Sequence, residues 1–348
     1  MSDRRQASGA KPSPAGADGG SAPVPVAKGR SEVTEAILAV RAETAAERGP
    51  KQTRTVAARL GLRQRFTELW RSRELFVFLV RKEIKVKYKN SVLGFLWSML
   101  NPALTLAVFW VLFTIFLPNH LPDFVVYMFG ATLIWNFFQN AVLGGTGSIV
   151  GNGGIVKKVA FPREILPLAS VGSAFMFMLF QSIVLVLFMA IVWHRPDWSQ
   201  MYILVPALAA IVVFAAALSV FLSAVNVYLR DTQHLVEVVL LAWFWAVPGI
   251  YAFSGNVHDK FARHHLLWLY FLNPITPIAM TFQRILFNSM HPRYTNEPHA
   301  LIPNGVLATY PTHWYVYSDL AVLGISAVLL LGAIALFGRL EGNFAEEL

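Results

Sequence analysis

The sequence predicts an all-α membrane protein with six transmembrane helices, a cytoplasmic interfacial helix before the first and two short outer-leaflet helices before the last. Of the 348 residues, 55% are hydrophobic and only 14% are charged, whereas about a quarter are charged in soluble domains. Long uncharged stretches recur, and about 20 apolar residues cross roughly 30 Å of bilayer hydrocarbon as a helix. The absence of cysteine excludes disulfides, cysteine-ligated zinc and thiol nucleophiles.

The first 67 residues predict a disordered cytoplasmic tail, because Ala, Gly, Pro, Ser and scattered charges dominate them without an apolar period. A transient helix over 32–47 is the alternative for part of this tail. From 68 to 90, large apolar side chains mix with seven basic residues from Arg71 to Lys89. This mixture suits a helix in the cytoplasmic headgroup layer, although the alternation from Ile84 onward has strand spacing and leaves a strand open.

Six spans are predicted within a transmembrane domain that covers residues 68–348, at about 93–117, 124–148, 165–192, 201–226, 236–255 and 319–338. No comparable apolar stretch precedes them, so the first span itself would direct insertion. With a cytoplasmic amino terminus, twenty-four Lys and Arg lie inside and five outside. Because cytoplasmic loops carry an excess of these residues, both termini are predicted to be cytoplasmic.

The outer segment 266–282 is also apolar and uncharged, which makes a seventh span the alternative topology. Pro274 and Pro277 argue against that span, because each removes a helical hydrogen bond. We therefore predict two short helices that dip into the outer leaflet on either side of an Asn-Pro break.

Small and polar residues mark the first two spans. The Asn101-Pro102 pair predicts a kink in the first span. Three glycines near the inner end of the second span permit either close helix approach or a break, and a gating hinge there is a hypothesis: Gly144, Gly145 and Gly147. A polar stripe on the same span, at Asn136, Gln139 and Asn140, indicates contact between helices.

Five strings, in order along residues 68–348, carry a resemblance to a known family. They are SVLGFLWSMLNP, IVKKVAFPREILPL, NVYLRDTQHLVEVVLLAWFWAVPGIY, NPITPIAMTFQRILF and GRLEGNFAEEL. Together they resemble the type 2 ABC transporter permeases, and within that family the exporters of lipid-linked polysaccharides such as O-antigen, teichoic acid and capsule. The tail before residue 68 departs from the minimal family pattern.

The resemblance implies the permease subunit of an exporter in the bacterial cytoplasmic membrane that moves a polyprenyl-pyrophosphate-linked glycan outward. It implies a homodimer with two copies of a separate subunit that binds ATP and Mg²⁺, so that this chain binds no cofactor and is not an enzyme. The sequence agrees with this, because it contains no G-x-x-x-x-G-K-[ST] phosphate-binding loop. A galactan is one candidate glycan, because frequent Ala, Arg and Gly suggest a GC-rich actinobacterial genome.

The loop between the second and third spans is the predicted contact with the ATP-binding subunit. Flexible glycines lead into a short basic segment, in which Phe161 would fill a pocket on the partner while charged side chains set the register. Positive-inside anchoring alone is the alternative role of its cations. With the second inner loop, the predicted contact set is Lys157, Lys158, Phe161, Pro162, Arg163, Glu164, Arg230 and Asp231.

Aromatic side chains in the first and fifth spans are candidates for lining the glycan path, because the C–H faces of sugars stack on aromatic rings. The candidates are Trp97, Phe109, Phe113, Phe116, Trp243, Trp245 and Tyr251. Packing against lipid or neighbouring helices is the alternative role of each. Arg81, Lys85, Lys87 and Lys89 are candidates for binding the pyrophosphate of the arriving substrate, and general attraction to anionic lipid explains the same residues.

Two other functions stay open at this point. A type 2 ABC exporter of a small hydrophobic drug or lipid would share the architecture but not the FPREILPL and LEGNFAEEL strings. A membrane-embedded glycosyltransferase or flippase-like enzyme would need grouped acids near the surface, and the outer-loop acids are dispersed: Asp259, Glu297 and Asp319. We predict no metal site, because a solvated surface explains the outer-loop histidines: His258, His264, His265, His291 and His299.

Overall fold

In the computed structural model, residues 61–348 are described apart from 90, 92, 95, 117–123, 250, 252, 254–257 and 288–309. All regular structure within these described residues is helical. Most of the predicted tail, including the helix considered at 32–47, lies outside them. The predicted boundary between residues 67 and 68 falls inside a helix, α1 (Leu62–Arg71).

The segment before the first span is helical. After α1 comes α2 (Arg73–Lys87), so the strand considered for this region is wrong. The helix is favoured over the strand because one side of it packs closely on another helix, α6 (Ile165–Ile191). A Cβ atom added at Gly172 of α6 would lie 2.9 Å from both Phe76 and Val80 of α2. Glu83 continues this contact by accepting hydrogen bonds from Ser170 and Ser173.

Four helices are long and apolar enough to cross a membrane: Leu96–Phe116, Ile165–Ile191, Trp198–Tyr228 and Thr312–Asn343. They contain α3 (Leu96–Val111), α6, α7 (Leu204–Tyr228) and α12 (Thr312–Leu340). A fifth long helix, α4 (Phe124–Gly151), has 28 residues and lies largely buried among the others. Its polar residues, among them Asn136 and Asn140, lower its hydropathy, so its apolar character alone does not identify it as a span.

The fifth predicted span, 236–255, differs from the observed helix. Helix α8 (Thr232–Phe244) has only 13 residues, about 20 Å at 1.5 Å per residue. Beyond Phe244 the backbone hydrogen bonds join residues three apart instead of four, as from Trp245 N to Ala242 O. Pro248 follows, which lacks an N–H and ends the helical run. The observed helix therefore ends eleven residues before the predicted end of this span.

The outer segment contains the predicted Asn-Pro break. Two helices flank it, α10 (Leu267–Phe271) and α11 (Ile275–Phe287), after the short α9 (His258–Arg263). The Asn273 amide oxygen accepts hydrogen bonds from Ile275 N at 3.1 Å and from Trp243 Nε1 at 3.0 Å, and its amide nitrogen donates to Ala246 O at 3.2 Å. Asn273 thus begins α11 and fastens it to the end of α8. The break makes one continuous helix over 266–282 wrong.

The ends of the described helices group at two opposite sides, each with its own polar contacts. At one, here called the Arg65 end, α1 and α2 meet the segment 151–164, the end of α7 and the carboxyl terminus; for example, the Tyr228 hydroxyl donates to Leu340 O at 2.8 Å. At the other, the Arg284 end, Arg284 donates hydrogen bonds to Gln200 at 2.8 Å and to Thr312 at 3.1 Å. Two short helices lie at the Arg65 end: α5 (Gly153–Val156) follows α4, and α13 (Phe344–Glu347) follows α12.

Helix α4 runs through the three glycines without a break, so the glycines serve close packing instead. Gly145 faces α7, where a Cβ atom would collide with the Ser219 side chain and lie 3.1 Å from Ser219 Cα. The crossing is fixed by hydrogen bonds from Ser219 Oγ to Ala141 O and from Asn226 Nδ2 to Thr146 O, both 3.0 Å. Small residues allow this approach of two backbones.

We expect Gly145→Ala to destabilise the protein by about 1–3 kcal/mol, because the added methyl group must push α4 and α7 apart. The neighbouring Gly144→Ala is the matched control, since its Cβ atom would make an ordinary 3.5 Å contact with Ser170. The measurement is the midpoint of thermal unfolding in detergent. Equal midpoints for the two variants would contradict this account of the crossing.

Candidate functional site

A buried ion cluster joins three distant segments at the Arg65 end. Arg65 of α1 donates one hydrogen bond to Glu164, which directly precedes α6, and one to Glu341 Oε1, just after α12, at 2.5 Å. The Arg65 side chain is only 6% exposed and that of Glu164 only 2%. These three residues are called the Arg65 cluster. Its members are 99 and 276 residues apart in sequence from Arg65, so only the fold brings them together.

The electrostatics of the Arg65 cluster follow from burial and pairing. Burial lowers the pKa of Arg65, but the hydrogen bonds and charges of Glu341 and Glu164 outweigh that effect and raise it. Burial, and secondly the Glu341 carboxylate, raise the pKa of Glu164. One guanidinium therefore holds two carboxylates that would otherwise repel each other, in the fork geometry that suits arginine.

Close packing around the cluster requires specific residues. A Cβ atom at Gly338 would lie 2.6 Å from Arg65 Nη2, so glycine leaves the space that the guanidinium occupies. Arg163 donates to Glu341 O at 2.6 Å, and its guanidinium lies 5.9 Å from the centre of the Phe344 ring. The loop before α6 and the carboxyl terminus after α12 are thus held by two arginines.

The predicted contact loop divides into an exposed tip and a buried base. Lys157 and Lys158 are exposed, together with the apolar Val159, whose exposed fraction is 56%. Phe161 is half-buried and packs on the chain's own core. Glu164 is buried in the Arg65 cluster, which differs from the surface position predicted for it. Among the other members of the set, Pro162 and Arg163 are half-buried, and Arg230 and Asp231 are exposed.

The predicted pyrophosphate cations separate into two groups on the structure. All four are exposed; Arg81 and Lys85 lie one helical turn apart on one face of α2, and Lys89 lies two residues beyond the end of that helix. The Lys87 ammonium instead lies 4.1 Å from the centre of the Phe177 ring of α6, and burial lowers the pKa of Lys87. We call Arg81, Lys85 and Lys89 the cation row.

The predicted path aromatics fall into three environments. Trp97, Phe116 and Trp245 are exposed, while Phe109 and Phe113 are half-buried against the core. Trp243 packs on the Phe138 and Phe214 rings, and Tyr251 pairs with the Tyr270 hydroxyl at 3.0 Å. Packing accounts for Trp243 and Tyr251 in this chain, whereas the three exposed side chains face outward.

The acids and histidines considered for catalysis or metal binding do not converge in the described residues. Asp319, predicted in the outer loop, lies inside α12 without exposed surface and accepts a hydrogen bond from Thr281 Oγ1 at 2.8 Å. Asp259 is exposed beside His258. No group of three or more His, Asp or Glu within the described part of the chain could hold a metal ion. His291, His299 and Glu297 lie outside the described residues.

Sequence reasoning missed Arg65 and Glu341. Arg65 fell in the predicted tail, and Glu341 appeared only as one letter of the GRLEGNFAEEL string. For Glu341 the available signal was a charged residue beside Gly342 at the end of an apolar helix, because a buried charge in a protein needs a partner. That signal names no partner, so the cluster itself required the fold.

Comparison with known proteins gives a consistent result. Residues 74–287, more than half of the chain, match the family described as ABC-2 type transporter. The chain is 34% identical over 283 residues to the O-antigen export system permease protein RfbA of Myxococcus xanthus, covering 81% of this chain and 98% of that protein. It is 25% identical over 276 residues to the protein of the same name from Klebsiella pneumoniae, covering 79% and 95%.

Proposed function

The chain belongs to the ABC-2 type transporter family, and from this premise we propose that it is the permease subunit of an ATP-driven exporter of lipid-linked polysaccharide. The observation that carries the proposal is the similarity to O-antigen export permeases across nearly their whole length. The cargo would be a polyprenyl-pyrophosphate glycan such as an O-antigen, a teichoic acid or a galactan. The protein is a multi-pass protein of the inner membrane.

The proposed assembly is a homodimer of this chain with two ATP-binding subunits, which bind ATP and Mg²⁺ and hydrolyse the ATP. The lack of a phosphate-binding loop in this sequence supports a separate ATPase. Apolar surface on α3 and α8 supports dimerisation around a conduit, because both helices leave large side chains exposed. They include Trp97, Leu104 and Val108 of α3, and Leu235, Val238 and Leu241 of α8.

In the proposed topology, both termini are cytoplasmic and the chain crosses six times. The distribution of cations supports the orientation: of the Lys and Arg in the described residues, fourteen belong to the Arg65 end and four to the Arg284 end. In chain order, we assign the second crossing to α4 and the fifth to α8 with the segment that follows it. The α10 and α11 helices would then dip into the outer leaflet, since irregular backbone is tolerated where protein surrounds it.

The Arg65 cluster supports a route for the force of ATP hydrolysis. The exposed tip at Lys157 to Val159 would meet the ATP-binding subunit, and the loop base would carry its displacement through Glu164. Since Arg65 binds both Glu164 and Glu341, a shift of the loop base would move α1, α6 and α12 together. Lys82 adds a further link to this end, donating to Asn152 Oδ1 at 2.9 Å.

The proposed loading step places the substrate pyrophosphate at the end of α2 and just beyond it, at Arg81, Lys85, Lys87 and Lys89. Replacing all four by Gln is expected to abolish export while leaving the ATP-binding subunit bound, because none of these residues belongs to the predicted contact set. The measurement is polysaccharide at the cell surface together with co-purification of the subunit. Arg71→Gln with Arg73→Gln, two exposed cations nearer the amino end, is the control. Normal export by the four-site variant would remove the loading proposal.

The experiment that tests the proposed function is purification of the tagged chain in mild detergent, with identification of the proteins that accompany it. A stoichiometric ATP-binding subunit and vanadate-sensitive ATP hydrolysis are expected. Depletion of the chain in cells is expected to accumulate lipid-linked polysaccharide on the cytoplasmic side. A chain that purifies alone and keeps its function would overturn the proposal. If depletion leaves the polysaccharide unchanged but the cells no longer exclude a small hydrophobic compound, the result would favour a drug or lipid exporter.

A further inference from the structure

An apolar groove lies between α2, α6 and α7. Its volume is about 580 Å³, within the range of about 300–1,000 Å³ that is typical of small-molecule sites. Eleven of its twelve lining residues are apolar or glycine, and the twelfth is Arg81. The lining comprises Phe76, Val77, Val80, Arg81 and Ile84 of α2, Leu168, Val171, Gly172, Phe175 and Met176 of α6, and Val212 and Ala216 of α7.

The dimensions of the groove fit one hydrocarbon chain of one leaflet. Along α6 it extends from Leu168 to Met176, about 12 Å at 1.5 Å per residue. One leaflet of a bilayer is about 15 Å thick in its hydrocarbon part, half of the roughly 30 Å core. Leu168 is near the beginning of α6 at the Arg65 end, so the groove occupies the leaflet on that side. A polyprenyl chain is much longer than this groove.

The charge at the groove indicates the kind of lipid. Arg81 is the cation of the lining, and it is exposed at the position where α2 faces outward. A guanidinium binds phosphate through two parallel hydrogen bonds. No acidic side chain belongs to the lining. Lys85 and Lys89 continue the cation row beyond the groove. A lipid phosphate on Arg81 would leave them, with Lys87, for the cargo pyrophosphate, so the loading step would then rest on those three lysines.

We propose that this groove is a binding site for a resident anionic phospholipid, with an acyl chain between α2 and α6 and the phosphate on Arg81. The lipid would complete the packing of α2, whose other contacts with α6 include the close approach at Gly172, the hydrogen bonds of Glu83 and the contact of Lys87 with the Phe177 ring. It would hold α2 against the span that begins at the Arg65 cluster. The inference needs the membrane position of α6 and α7 but not the proposed cargo.

The test uses the full chain in phosphatidylcholine vesicles that contain phosphatidylglycerol with a photoreactive diazirine in its acyl chain. After illumination, labelled peptides are expected to fall within 76–84 and 168–176. Val77→Trp is expected to lower this labelling several-fold, because the indole would fill the groove. Val86→Trp is the matched control on the same helix, since Val86 is exposed and does not line the groove.

The charge is tested separately with Arg81→Gln, a substitution at an exposed position that does not threaten folding. It is expected to lose about tenfold of the preference for phosphatidylglycerol over diazirine-labelled phosphatidylcholine, because both lipids carry a phosphate but only phosphatidylcholine carries a cation that Arg81 repels. Arg73→Gln is the control. Labelling spread evenly over all exposed helices, or unchanged by Val77→Trp, would overturn the proposal. Displacement of the label by small amounts of polyprenyl phosphate would also overturn it, because the groove would then bind the cargo. Cross-links between two copies of the chain would overturn it as well, because the groove would then belong to the dimer interface. The assay contains no ATP-binding subunit, so its failure and the failure of the export proposal are distinguishable.

Discussion

Arg65→Met is expected to lower the free energy of unfolding by about 3–5 kcal/mol, the usual cost of removing one partner from a buried ion pair. The loss is large because the substitution leaves two carboxylates, Glu164 and Glu341, buried beside each other without a cation. Methionine fills a similar volume, so an empty cavity contributes little. The measurement is thermal unfolding of the purified chain in detergent, followed by tryptophan fluorescence.

Two comparisons separate charge from general sensitivity of α1. Arg63→Met changes an exposed arginine on the same helix and is expected to alter stability by no more than about 0.5 kcal/mol. Adding Glu164→Gln and Glu341→Gln to Arg65→Met is expected to restore much of the lost stability, because replacing all the partners is less costly than removing one. An Arg65→Met protein as stable as the Arg63→Met protein would show that the cluster does not hold these segments together.

The double variant Lys157→Glu, Lys158→Glu is expected to weaken binding of the ATP-binding subunit by at least about tenfold and to abolish export. Both lysines are exposed at the loop tip beside exposed Val159, so reversing their charge does not disturb the core. The measurement is the amount of subunit that co-purifies, with surface polysaccharide as the functional readout. Stability is expected to stay unchanged, which distinguishes this variant from Arg65→Met.

The matched control is the double charge reversal Lys260→Glu, Arg263→Glu on α9. These cations are also exposed, but the proposed topology places α9 on the outer side, where it would not meet the ATP-binding subunit. Their reversal is expected to leave co-purification unaffected. Full retention of the subunit by the Lys157 and Lys158 variant would return these lysines to the simpler role of positive-inside anchors.

Resemblance in the sequence identified the protein class before the fold was known. The five strings predicted a type 2 ABC permease of the polysaccharide export group, and the match over residues 74–287 and the relatives named as O-antigen export permeases confirm it. The helical class and the Asn-Pro break in the outer segment were also predictable. Both depend on local chemistry, because apolar length and the missing N–H of proline act within a few residues.

Two residues were predicted in a different environment, for one common reason. Glu164 was expected at the partner surface and is buried, and Asp319 was expected in the outer loop and is buried in α12. The type of a residue and its neighbours in sequence do not determine which side of its helix is buried against other helices. That depends on helices more than a hundred residues away.

The sequence by itself therefore determined that this chain is a helical membrane permease, where most of its apolar segments lie and which loop is basic. Those properties are sums over neighbouring residues, and hydrophobic length and charge excess suffice for them. Only the tertiary structure decided that Arg65 joins Glu164 to Glu341, that α8 ends at Phe244, and that α2 borders a groove on α6. Each of these arises from contacts between distant segments, where burial removes water and a charge or an apolar surface must find its partner within the fold.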